Sequence, residues 1–110
     1  MSAKVAYLRS VTPDRPERRQ AVYLIRLNGL HKIGISFNPV SRVKGMQLPG
    51  KAEIVHTVYP RDARHLESCL HERFAEERRH GEWFELTEAD VRDAITVMNV
   101  RVEAEQQVTE

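Results

Sequence analysis

The sequence predicts an α+β domain, a small three-stranded and mainly antiparallel sheet (an N-terminal hairpin plus one later strand) flanked by three helices. Three observations predict it. Two apolar runs, AVYLIRL and LHKIGIS, meet at Asn28-Gly29, the dipeptide that best supplies positive φ at both centres of a two-residue hairpin turn. Residues 61–80 then change to helical spacing. Finally, Thr87 followed three residues later by Asp90 opens another apolar helical stripe.

The elements follow in chain order. Residues 1–19 hold two prolines and four arginines without a period, which reads as a flexible basic arm, either a solvated tail or a source of sequence-independent phosphate affinity. A domain of residues 20–100 follows, and 101–110 reads as a frayed tail. With a two-residue turn, Leu27 pairs with Leu30, Ile25 with Lys32, Tyr23 with Gly34 and Ala21 with Ser36. Directly opposed residues share a face, so Val22, Leu24, Ile33 and Ile35 form an aliphatic face destined for a core. Tyr23, Ile25, Lys32, Gly34 and Ser36 form the other. Lys32 is then a diagonal neighbour of Tyr23; it either snorkels past an exposed sheet face or serves chemistry there.

Asn38-Pro39 marks a short helix that ends near Leu48, before Pro49-Gly50, with Asn38 as N-cap and proline where a missing N–H costs nothing. Arg42 lies one turn in. Residues 52–59, AEIVHTVY, read as the third strand, stopped by Pro60. The helix over 61–80 carries Ala63, Leu66, Leu70 and Phe74 on one stripe with Cys69 beside them, places Arg78, Arg79 and His80 in its last turn, and ends at Gly81 as C-cap. Glu67 and His71, four apart, flank that stripe. EWFEL is a short extended piece whose Trp83 and Phe84 call for burial, and Val91, Ile95 and Met98 line the inner face of the last helix.

Composition narrows the function classes. At 110 residues the chain has one core. No apolar run approaches the length of a membrane span or signal segment, which leads to an expectation of a cytoplasmic protein without membrane contact. Cys69 is the only cysteine, so an intramolecular disulfide is excluded. The net charge of +1 conceals a segregation: residues 21–60 carry five Lys/Arg to one acid, and 61–90 carry five to nine acids. A basic wall beside an acidic one suits a protein that holds phosphates on one side and a cation on the other, and also suits ordinary surface variation.

The polar residues that interrupt apolar elements are Tyr23, Lys32, Arg42 and Glu67, with His71 beside them. Hydrolysis of a phosphodiester needs such a set: a group to activate water, cations for the charge that builds on phosphorus, and a carboxylate for a hard metal. Mg²⁺ keeps several waters and often takes one or two protein carboxylates, so one glutamate can suffice.

The ordered motifs Val22–Ile25 (VYLI), Lys32–Arg42 (KIGIS-x-NP-x-x-R), Leu66–Phe74 (LE-x-x-LH-x-x-F) and Gly81–Phe84 (GEWF) resemble the GIY-YIG nuclease superfamily, in its phage-associated branch, over roughly residues 21–99. That resemblance implies a three-stranded sheet with flanking helices and a Mg²⁺- or Mn²⁺-dependent endonuclease acting on nucleic acid, DNA in the first place. It implies that Tyr23 is the general base or water-orienting group, that Arg42 holds a phosphate oxygen, and that Glu67 binds the metal. Lys32 stands where the name-giving motif has tyrosine; its ammonium would favour the phenolate of Tyr23 and contact the phosphate, with Lys44 as a further phosphate contact. Gly34 is the motif glycine, and a side chain there would crowd Tyr23. His71 is motif-matched and either orients Glu67, touches substrate, or is a hydrogen-bonded structural histidine. Glu82 either reaches the site or caps a backbone amide, the structural role being favoured, and Trp83 and Phe84 are more often core than a base-stacking platform. The late asparagine of many family members has no clear counterpart.

Two other readings compete. One is a non-cleaving nucleic-acid-binding module on the same scaffold. The other is a zinc site from His65, Cys69 and His71, whose side chains diverge around a helix rather than converge. A homodimer is one way for so small a domain to cut both strands.

Overall fold

The computed structural model describes residues 18–108, with side chains to 106; the basic arm lies almost wholly outside the described residues. Strands β1 (Ala21–Leu27) and β2 (Leu30–Ser36) pair antiparallel in the expected register. Asn28 and Gly29 adopt φ of 51° and 81° at the turn, the two positive angles that the Asn-Gly pair was expected to supply. Helix α1 (Pro39–Gly45) begins as the sequence indicates, with Asn38 Oδ1 accepting from the Ser41 amide at 3.2 Å, and ends earlier than Leu48. Strand β3 (Glu53–Val58) adds to the other edge of β1, with Val55 as an extra residue where the register shifts between Leu24 and Ile25.

Helix α2 (Ala63–Arg73) is shorter than expected. The 61–80 stretch is not one helix: the chain leaves α-geometry at Phe74, makes a 3₁₀ turn over Ala75–Glu77, and forms strand β4 (Arg78–His80). Gly81, at φ 58°, turns it into strand β5 (Trp83–Phe84) rather than capping a helix. Three strands therefore become five, in the order β3-β1-β2-β5-β4. All three residues of β4 are exposed, so this edge strand leaves no apolar alternation to read, and its basic run mimics a helix C-terminus. Helix α3 (Glu88–Val108) opens with the reciprocal bonds of a capping box, Asp90 N to Thr87 Oγ1 at 3.1 Å and Thr87 N to Asp90 Oδ2 at 3.0 Å. It continues to Val108, through residues whose sequence read as a frayed tail.

The core lies between one sheet face and the helices. Val22, Leu24 and Ile33 meet Leu66, Leu70 and Phe74 of α2, Phe84 of β5, and Val91, Ala94 and Met98 of α3, all nearly or wholly buried. Each fully buried aliphatic side chain contributes about 1.5–3 kcal/mol. Arg73 joins α2 to α3 through a bidentate pair with Asp93, at 2.6 and 2.9 Å. Among the described residues no helix is long and apolar enough to cross a membrane.

Candidate active site

The site forms where β5 stops. In an antiparallel ladder both backbone polar groups of one residue point to the same neighbour. The Ile33 amide bonds to the Glu82 carbonyl at 3.3 Å, just beyond the end of β5. The Ile33 carbonyl accepts instead from Nε2 of His71 on α2, at 2.8 Å. A two-residue strand thus leaves a notch beside Gly34, and α2 fills the vacant ladder position with an imidazole that also packs on Phe84, ring centroids 5.1 Å apart. This bond places the proton of neutral His71 on Nε2. Of the three roles open to His71, the hydrogen-bonded one is visible, and an imidazolium there would pull the Glu67 carboxyl down.

Across the strand pair, Tyr23 lies directly opposite Gly34 and its phenol runs over it. A Cβ at Gly34 would stand 2.6 Å from Tyr23 Oη, 2.7 Å from Cζ and 3.2 Å from Glu82 Oε1. Glycine is required there because the phenol and a carboxylate occupy the space of its side chain. The phenol is 1% exposed. Burial raises its pKa above the usual 10.0, reinforced by the Glu82 and Glu67 carboxylates and opposed by the Arg42 guanidinium. Among the charges acting on Tyr23, the Arg42 guanidinium is the one that favours the phenolate, and burial outweighs it.

Lys32 is paired elsewhere, in a short ion pair with Glu82 Oε1, with the lysine side chain largely buried and the glutamate half exposed. Glu67, on the flank of α2, has its carboxyl pushed above the ordinary carboxylate range first by burial and then by Glu82, against the pull of His71, Lys32 and Arg64. Tyr23, Lys32, Arg42, Glu67, His71 and Glu82 therefore form one electrostatically linked group.

Glu82, which the sequence leaves between reaching the site and capping a backbone amide with the structural role favoured, is part of this group. Alternation from Trp83, which pairs with Lys32, would turn Glu82 away from the lysine; the positive φ of Gly81 releases it from that rule. The signal was present as an acid directly after a turn glycine. Trp83 is half-buried on the Lys32 face, while Phe84 is fully in the core. Lys44 does not join the group; it lines a separate groove along α1. Asn99, the only asparagine beyond residue 38, is bound to His56 at 2.7 Å and takes no part. Cys69 faces His65 and Arg101 while His71 turns to Ile33, so the three residues weighed for zinc do not converge. No group of three or more His, Cys, Asp or Glu poised for a metal occurs among the described residues.

The donor chemistry nonetheless fits a hard divalent ion. Glu67 is a partly desolvated carboxylate, destabilised in its charged form by a second carboxylate nearby, and a cation that retains its own waters relieves both penalties.

Residues 20–99 match the T5orf172 domain, a phage-associated domain found in some endonuclease-like proteins. No curated protein and no solved structure gives a significant match.

Proposed function

The chain belongs to the T5orf172 domain family, and from that premise we propose that it is a metal-dependent endonuclease of GIY-YIG type, hydrolysing phosphodiester bonds of DNA by attack of water. The observation that carries this reading is the notch at Gly34, where a buried phenol, an ion-paired lysine, a guanidinium and two carboxylates share one electrostatic environment.

The roles follow from the charge states. Tyr23 works as a neutral phenol, donating a hydrogen bond that orients water or a phosphate oxygen. Arg42, exposed on α1, holds a non-bridging oxygen. Lys32 exchanges Glu82 for the phosphate and meets the charge that develops on phosphorus. Glu82, released by that exchange, accepts the proton of the attacking water, while the leaving oxygen takes one from solvent. Mg²⁺ or Mn²⁺ would be held by Glu67, with Glu82 nearby, and would supply Lewis-acid polarisation of the phosphate.

Incubating the protein with plasmid, single-stranded DNA and structured RNA, in Mg²⁺ and in EDTA, tests the proposal. Cleavage should require the metal and vanish in Glu67→Ala and Arg42→Ala proteins that still fold. Salt-sensitive binding without turnover under any metal would establish the binding-module reading instead.

A further inference from the structure

Phe74 and Phe84 are 3% and 0% exposed, but Phe37 is 67% exposed and Val40 52%. Phe37 is the residue after β2 and directly precedes the N-cap of α1. It forms one wall of an open groove of about 370 Å³ that also takes in Val40, Thr57 and Tyr59. Thr57 is the cross-strand partner of Tyr23, so this groove continues the sheet face that carries the phenol. A second groove, about 420 Å³, shares Val40 and runs along α1 past Lys44 to Lys51. Between Phe37 and Ala52 the chain holds Arg42, Lys44 and Lys51 and no acidic residue.

An exposed ring at the head of a cationic, acid-free strip matches a polyanion that also offers flat apolar faces. Single-stranded nucleic acid has both: phosphates for the lysines and an unstacked base for the ring. A duplex satisfies the cations alone, because its bases are already stacked, and leaves Phe37 in water.

We propose that the strip from Phe37 to Lys51 is a track for a single-stranded segment beside the cleaved phosphate, with an unpaired base stacked on Phe37 and backbone phosphates on Lys44 and Lys51. The inference rests on the nuclease reading above and narrows its substrate to DNA that is single-stranded or locally unpaired at the cut.

Binding of a labelled single-stranded oligonucleotide and of its duplex, measured in EDTA so that no cleavage intervenes, tests it. Stacking on an aromatic ring is worth about 1–3 kcal/mol per base, so Phe37→Ala should weaken single-strand binding roughly 5- to 150-fold while duplex binding changes by less than about 2-fold. Phe37→Trp should restore the affinity. Lys44→Ala and Lys51→Ala should each reduce the salt slope for the single strand by about 0.7. If Phe37→Ala weakens both forms equally or neither, stacking is overturned, and metal-dependent cleavage by the same protein would show that the nuclease reading survives. Failure of the wild type to bind any nucleic acid would remove both. A wild-type dimer in sedimentation that becomes monomeric in Phe37→Ala would assign the face to a second copy and overturn the track.

Discussion

Tyr23 shows how one residue's chemistry is decided by its burial rather than by its neighbours' names. Its folded pKa is raised, so the favourable contribution of its protonated form is complete below the unfolded value of about 10 and is lost as pH rises through the folded one. The phenolate absorbance of wild type minus that of Tyr23→Phe should therefore titrate above pH 10; a midpoint below 10 would restore the tyrosine as a base. Glu67 has the same sign. Its folded pKa is also raised, so its ionised form opposes folding at neutral pH, and protonation removes that penalty. Glu67→Gln should melt at a higher temperature than wild type at pH 7, and the two should converge below about pH 4, where the carboxyl is neutral in both states. Glu82→Gln, which removes the proton acceptor and the charge that holds Lys32, should lower cleavage about 100-fold or more with little loss of stability. A Glu82→Gln enzyme of normal rate would return Glu82 to a structural role.

At the scale of elements, the β1–β2 hairpin was legible almost completely. Asn28-Gly29 sets its register, and the register in turn placed Tyr23 over Gly34. Gly34→Ala tests that consequence: overpacking against a buried ring should cost about 1–3 kcal/mol and abolish cleavage by displacing the phenol, read by chemical denaturation and nicking assays together. The caps of α1 and α3 were legible for the same reason, each being a local hydrogen-bond rule written within four residues. The β4–β5 hairpin was not. Its strands have three and two residues, with β4 fully exposed, and they are held to the sheet by the long-range pairing of Phe84 with His31 and Trp83 with Lys32. Burial periodicity carries no such information. The same blind spot favoured a structural role for Glu82 and made the helix over 61–80 look continuous. Tyr23, Lys32, Arg42 and Glu67, which the sequence put forward, lie on well-formed elements and share one electrostatic group; Glu82, for which the sequence favoured a structural role, joins them from the irregular turn.

For the molecule as a whole, stability and chemistry sit in different places. The core joins β1, β2 and Phe84 of β5 to α2 and α3 through large buried side chains, whereas Glu82 and its ladder bond to Ile33 lie at the turn end of the short β4–β5 hairpin, whose outer strand β4 is fully exposed. Edges with few buried contacts open at lower free energy than the core. Amide exchange should report this, with Trp83 and Ile33 exchanging faster than Leu24, and equal protection of all three would refute it. The two-residue length of β5 then sets a thermal order of failure. If the nuclease reading holds, warming should release the hairpin first and strip Lys32 of its counter-charge, so that turnover should cease while circular dichroism still reports a native fold; the working temperature would then be set by the melting point of the shortest strand.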